Sequence, residues 1–592
     1  MTPQRATHSA VAFAAIVRAA YVIADLARSP LAAVPLHDAA RYDAWAQALA
    51  AGTRFDAGAF SQAPLYPYVL GGVYAVAGRG GALVFALQAA LGVATVLLAA
   101  TVARRARGER AAAWAAWLVA LYQPLAFFET KRLPAALVAL LAVLAVERAQ
   151  AADAANRSRG WGLAGAVLGL LCLASAGFLL ALPATLVWIA WDRSRSGGTR
   201  AARAALCLGA AAAVIAPATL HNRAASGDWV PITTNAGITF WQGNNPNAEG
   251  VFSIPEGFTG SITTQREEAR RIASEGAGRP LDDAAASSYW MGKGLSFLAA
   301  NPGRTLVLVG RKALLALSSV EQPLEYSPRL DANPFRRLMP LPFGLLLALA
   351  LAGALGPGAA RAEAPSWIVG GVCAATLLAF FVACRYRLPA IAPLGALAGG
   401  GAAWLVDAAR AGGRAIRVPA IAAALVLAVS LAWYPATQGP LRRAQDATSL
   451  DDLGNAQRDS GRAEEALTTY DRSIALDPGS PFPWIDRGKA AAALGVVPAA
   501  ERSFREAIRI APDLSEARFE LGVLLFEAGR LDEAADSFAR ATALDPYGSD
   551  PANNYAGTLL RLGRVDEART VIRGMRSRGL PVDPPLARAV GE

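Results

Sequence analysis

The sequence predicts an all-α chain in two parts: a polytopic transmembrane helical bundle of about 11 spans plus an interfacial helix, then an α-solenoid of about 4 two-helix repeats. Three observations carry this. Hydrophobic residues fill 54% of the 592 positions and charged residues 17%, against about 45–50% and about 25% in soluble domains. The apolar excess falls in runs of about 18–24 residues, the length that crosses about 30 Å of hydrocarbon. Past residue 437 the chain turns polar, and glycine, alanine and proline recur every 34 residues.

This composition excludes a soluble enzyme, a disordered chain and a secreted disulfide scaffold. Cys172, Cys207, Cys373 and Cys384 lie in or beside apolar runs and read as small core hydrophobes. His8, His37 and His221 are too few and too scattered for a histidine-built zinc site. A net charge of +11 raises nucleic-acid binding, but most arginines stand between apolar runs, where they orient a membrane protein.

Taken in order, spans are expected near 8–27, 81–103, 111–128, 133–148, 161–175, 177–191, 204–220, 336–356, 366–384, 388–406 and 418–436. The first reads as an anchor rather than a cleaved signal. The run Thr305–Ser319 carries Arg311 and Lys312 at its centre and reads as an interfacial or re-entrant helix. The links Arg104–Arg110, Arg148–Arg159, Arg193–Arg203, Arg361 and Arg410–Arg417 hold 4, 3, 4, 1 and 3 arginines. A cytoplasmic N-terminus puts all of them inside. The same parity leaves segments 29–68 and 221–304, and everything after about residue 437, on the external, periplasmic face of a bacterial inner membrane. Within the first span Arg18 and Asp25 lie two turns apart, an arrangement that suits mutual support or function.

Beyond a linker at 437–446, Gly461, Gly495, Gly529 and Gly563 are spaced by 34 residues, as are Ala466, Ala500, Ala534 and Ala568. Pro478, Pro512 and Pro546 keep the same interval, and Tyr470, Phe504 and Phe538 share the register. Glycine ends the first helix of each unit, alanine admits close packing of the second, the aromatic fills the layer between units, and proline stops the next helix. The pattern resembles the tetratricopeptide repeat family over about 447–582, with Ile572 at the aromatic position of a capping repeat and a tail at 583–592. Such a solenoid suits docking of a protein partner or acceptor.

Residues 1–436 contain further motifs outside the spans. Soon after the first span come Leu36-His37-Asp38-Ala39-Ala40-Arg41-Tyr42 and Phe60-Ser61-Gln62-Ala63-Pro64-Leu65-Tyr66-Pro67-Tyr68. Phe127-Phe128-Glu129 ends the third span. Asn235-Ala236-Gly237-Ile238-Thr239-Phe240-Trp241-Gln242-Gly243-Asn244-Asn245-Pro246 lies in the long loop, and Arg385-Tyr386-Arg387-Leu388-Pro389 enters a late span. Together these resemble the C-type glycosyltransferases, specifically the bacterial relatives of dolichyl-phosphate-mannose protein mannosyltransferases and of the lipid A aminoarabinose transferase. The resemblance implies transfer of a sugar from a polyprenyl phosphate to a protein, glycan or lipid hydroxyl, with inversion. One stretch departs from the family: Leu173-Ala174-Ser175-Ala176-Gly177 is uncharged where relatives carry a charged element.

Inversion needs a base for the acceptor hydroxyl, and Asp38 is the expected catalytic carboxylate, with Asp43 and Asp56 deeper in the loop. Its plain alternative is a helix cap. Tyr42, one turn on, is placed with it. Arg385 and Arg387 suit the lipid phosphate, or anchor the span at the interface. Arg311 and Lys312 compete for the phosphate role or mark a surface helix. Glu129 suits the donor sugar, a divalent metal or an ion pair with Lys131 and Arg132. Asn235, Gly243, Asn244 and Asn245 bind sugar hydroxyls or order their loop. No cofactor is demanded, and a divalent metal stays open. Two other functions compete: a non-catalytic scaffold that organises envelope partners through its repeats, and a polysaccharide polymerase or ligase using a diphosphate-linked donor.

Overall fold

The computed structural model describes residues 1–55, 58–155, 158–258, 265–356, 360–411, 417–437 and 439–591; Asp56 lies outside them. Helices dominate, and among the described residues there is no strand, only an isolated bridge between Tyr122 and Pro340. Two compact units divide the chain, Met1–Gly439 and Pro440–Glu592.

Every stretch expected to span is mostly helical, with breaks that include 339–342 and 380–383. Six helices of the first unit are long and apolar enough to cross a membrane: Pro3–Arg28, Gly81–Arg107, Ala135–Ala154, Gly197–Ser226, Arg361–Ala379 and Cys384–Arg410. The remaining stretches form shorter or broken helices, such as Glu109–Ala120 followed by Gln123–Phe128. Cys384–Arg410 is the central helix, buried without interruption from Arg387 to Ala403. It packs on Phe343–Leu355, Glu109–Ala120, Ala360–Ala379 and Ala135–Ala154. Small residues make this approach tight: a Cβ at Gly399 would meet the Ala111 carbonyl at 2.4 Å.

The arginine-rich links converge on one end of the bundle. Arg107 pairs with Glu363, Arg110 with Asp407, and Arg361 with both Asp153 and Asp192 at 2.8 and 3.0 Å. Segments 29–68 and 221–304 carry short helices and the functional motifs. His37–Ala50 packs against Leu65–Ala77, an apolar helix that the sequence reading left between spans. Tyr66, Leu70 and Tyr74 recur at one-turn intervals and are its buried face. Ala236–Gly243, Gln265–Ala277 and Asp283–Ala300 enclose a small core of Ile238, Trp241, Ala273 and Trp290. The interfacial stretch is the helix Pro302–Leu317.

In the second unit, helix pairs alternate from Gly439–Asp459 with Ala463–Leu476 to Ser549–Arg561 with Val565–Ser577. Gly461, Gly495, Gly529 and Gly563 occupy the turns inside each pair at φ 74–81°, a backbone region glycine enters without strain. Ala466, Ala500, Ala534 and Ala568 are fully buried, and so are Tyr470, Phe504, Phe538 and Ile572. A second 34-residue register, absent from the sequence reading, explains the aromatic one. Tyr470, Phe504 and Phe538 lie over Gly454, Gly488 and Gly522, where a Cβ would approach the rings to 2.5–2.7 Å. The fourth repeat changes both partners, Ala556 for glycine and Ile572 for the aromatic, and both are buried. The tail forms the helix Pro584–Ala589, and Leu586 and Val590 close the last apolar layer.

Candidate functional site

Asp38 sits in the first turn of His37–Ala50, where the helix dipole favours a carboxylate. Its entry is unusual. His37 has φ 50°, the positive-φ non-glycine residue among those described, a conformation that costs about 1–3 kcal/mol and persists only when the surroundings impose it. The Tyr326 hydroxyl accepts the Leu36 N–H at 3.0 Å and helps to hold that corner.

Arg385 opens the Cys384–Arg410 helix, and its Nη2 donates to Asp38 Oδ2 at 2.6 Å and to the Tyr386 hydroxyl at 3.1 Å. Gln62 Nε2 donates to Asp38 Oδ1 at 2.7 Å. Behind the arginine, both Glu325 oxygens lie 2.6 Å from Arg385 Nη1. Burial pulls the Asp38 carboxyl upward, but the Arg385 guanidinium, Glu325 and His37 together outweigh it and hold Asp38 below the usual carboxylate range. Glu325 goes the other way: burial pushes it up to about 8 against the pull of Arg385, with Asp38 adding to the rise.

Two cavities meet at Asp38. The larger, about 250 Å³, holds Asp38, Tyr42, Gln62, Asn235, Arg385 and Tyr386 at its polar end. It continues between apolar walls that include Leu133, Val138, Phe178, Cys373 and Phe380. The uncharged stretch Ala174-Ser175-Ala176-Gly177 lines the same wall. The smaller cavity, about 60 Å³, shares Asp38, Ser61, Gln62 and Asn235 and is more polar, with Arg41, Arg266, Arg270 and Asp283 beside the apolar Ile238 and Trp290. Buried Asn222 fixes the segments that carry Gln62 and Asn235. Its side chain accepts the Phe60 N–H at 2.8 Å and donates to the Val230 and Ile232 carbonyls.

Of the residues singled out in the sequence, Asp38, Tyr42, Asn235 and Arg385 come together; the others do not. Arg387 lies two positions beyond Arg385, about 200° around the helix. It is buried, donates to the Ser318 carbonyl at 2.7 Å and stacks 4.2 Å from the Phe343 ring centroid. Glu129 accepts from Arg18 at 3.0 Å, both fully enclosed, so Arg18 is not the partner of Asp25. Asp25 takes Lys131 and Thr130 at 3.2 and 2.6 Å, and Arg132 reaches Asp43 at 3.3 Å. Arg311 pairs with Glu249. Lys312 donates to Asn244 Oδ1 at 2.8 Å, while Asn244 Nδ2 holds the Phe240 and Ala379 carbonyls. Asn245 caps its own helix end through Trp241 and Gln242. Gly243 abuts the Phe380 carbonyl, with no room for a Cβ. Among the described residues no group of three or more His, Cys, Asp or Glu is arranged to hold a metal ion.

Gln62, Tyr386 and Glu325 were missed as members of the site. Gln62 and Tyr386 stood inside quoted motifs, whereas Glu325 belongs to none.

Residues 61–221 match the family model of the dolichyl-phosphate-mannose-protein mannosyltransferases. Residues 449–482, 485–549 and 525–579 match tetratricopeptide repeat models. Small glutamine-rich tetratricopeptide repeat-containing protein 2 of Mycosarcoma maydis is 29% identical over 106 residues, 18% of this chain and 29% of that protein, so the chain spans less than a third of that relative's length. Among solved structures, MamA is 18% identical over 25% of this chain and 82% of that chain, with a TM-score of 0.22. The Arabidopsis OM64 tetratricopeptide domain is 20% identical over 20% and 98%, with a TM-score of 0.20. The amino-terminal region is thus similar over residues 61–221 to the dolichyl-phosphate-mannose-protein mannosyltransferases, and the carboxy-terminal region carries tetratricopeptide repeats.

Proposed function

We propose that the chain is a membrane glycosyltransferase that moves a sugar from a polyprenyl-phosphate donor to a hydroxyl, with inversion, on the face of the membrane opposite its arginine-rich links. One observation carries the reading: a carboxylate and an arginine stand where an apolar-walled cavity meets a polar one. The apolar walls suit the polyprenyl chain, and the Arg385 end suits its phosphate. The polar cavity suits the acceptor hydroxyl, entering from the Arg41 and Asp283 side.

In this scheme Asp38 takes the hydroxyl proton as the acceptor oxygen bonds to the anomeric carbon. The bond from that carbon to the phosphate oxygen breaks with its electron pair, and Arg385 balances the growing phosphate charge. Tyr42 and Asn235 orient the sugar at the cavity mouth. Glu129, Arg311, Lys312, Gly243, Asn244, Asn245 and Arg387 brace the scaffold, given the partners each holds. The repeats present or dock a protein or glycan acceptor.

Mass spectrometry of lipid co-purified with the full chain tests the donor class. A polyprenyl monophosphate or its sugar ester supports the reading, and a diphosphate-linked glycan moves it to the polymerase or ligase class. Unchanged cellular function in Asp38→Asn, with the chain folded, favours the scaffold reading instead.

A further inference from the structure

The larger cavity sets an electrostatic problem for any phosphate. Among the described residues, the one guanidinium lining the cavity, Arg385, faces two carboxylates, Asp38 and Glu325. With both ionised the trio sums to −1 and repels an anion. Glu325 does not line the cavity; its side chain is 5% exposed and stands behind Arg385. It shares that guanidinium with Asp38: both Glu325 oxygens lie 2.6 Å from Arg385 Nη1, and Asp38 Oδ2 lies 2.6 Å from Nη2. Two buried carboxyls on one guanidinium favour a proton on one of them, and Asp38, which also accepts from Gln62 at 2.7 Å and sits in the first turn of its helix, is the one better kept as the anion.

We propose that Glu325 is a positioning residue that works as a neutral carboxylic acid: it braces Arg385 toward the cavity while leaving the guanidinium charge for the donor phosphate. This rests on the reading of the larger cavity as a lipid-phosphate site. The groups that face Glu325 are His37, Asp38 and Tyr42 from the His37–Ala50 helix, and Arg385 and Tyr386 from the Cys384–Arg410 helix. Glu325 is pushed up to about 8. Below that pH it is protonated and the trio is neutral; above it Glu325 ionises, the trio becomes −1, and phosphate affinity falls.

Undecaprenyl phosphate binding to the detergent-solubilised full chain, followed from about pH 7 to about pH 9.5, tests this, since the lipid phosphate is itself fully ionised over the upper part of that range. The wild-type affinity should fall about 10-fold or more across the range, the order expected for one added charge a few ångströms away. Glu325→Gln keeps a neutral donor and should hold its affinity to the top of the range. Glu325→Ala should bind weakly at every pH. His37→Asn, suited to the left-handed backbone at that position, should keep the wild-type fall. A Glu325→Gln profile that falls as the wild type does, or a His37→Asn profile that stays flat, overturns the assignment to Glu325. Wild-type binding lost in Arg385→Ala supports the phosphate site itself, and no wild-type binding at any pH overturns that reading and the inference with it.

Discussion

At the scale of single residues the chemistry turns on whether Asp38 is the base. Asp38→Asn keeps size and hydrogen bonding but cannot accept a proton, so turnover should fall about 10²–10⁴-fold with donor affinity little changed. Asp38→Glu should also be poor, because a displacement of about 1 Å can cost about 100-fold. Asp43 is no substitute in this scheme, being committed to Tyr74, Arg79 and Arg132; normal turnover in Asp38→Asn with a dead Asp43→Asn would reassign the base. For the phosphate, Arg385→Ala should lose about 2–4 kcal/mol of transition-state stabilisation, about 30- to 1,000-fold in rate, and Arg385→Lys less. Arg387→Ala should lower thermal stability and leave the donor KM of the folded protein unchanged; a raised KM there would return Arg387 to the phosphate site. Asp38 and Arg385 were legible because each sits in a recognisable motif at a span edge. Glu325 was not, since its meaning lies in contacts 60 residues away along the chain.

At the scale of elements, legibility tracked periodicity. A 34-residue interval marks the helix pairs directly, and runs of apolar residues mark the bundle helices. What such patterns leave open is the rotation of each helix about its axis. Arg385 and Arg387 looked equivalent in the sequence, yet the phase of one helix sends the first to the cavity and the second into the core. The same limit hid the pairing of glycine with aromatic inside the repeats. That pairing predicts a rescue. Gly522→Ala puts a methyl 2.7 Å from the Phe538 ring and should destabilise the repeat by about 1–3 kcal/mol. Adding Phe538→Ile, the combination already present as Ala556 and Ile572, should recover most of the loss. Hydrogen exchange on the full chain would report it, and a double mutant no better than the single would show that ring and glycine are not coupled.

At the scale of the whole molecule, the arginine links share one end of the bundle, and the positive-inside rule predicts that end to be cytoplasmic. In a cysteine-free background, single cysteines at Arg472 or Arg502 should react with an impermeant thiol reagent in intact spheroplasts, and one at Ala411 only after permeabilisation. The opposite pattern would invert the topology. The long-range pairs described above also carry a consequence in time. Arg107 meets Glu363 256 residues later, and Asp38 meets Arg385 347 residues later. At about 5–20 residues per second, an emerging chain spends on the order of tens of seconds with its first helices inserted and both partners unmade. Until nearly the whole bundle has emerged Arg385 is not beside Asp38, so, on the proposed function, a half-made chain lacks the seat for a lipid phosphate. In that scheme the order of synthesis alone keeps an incomplete chain from engaging the lipid pool.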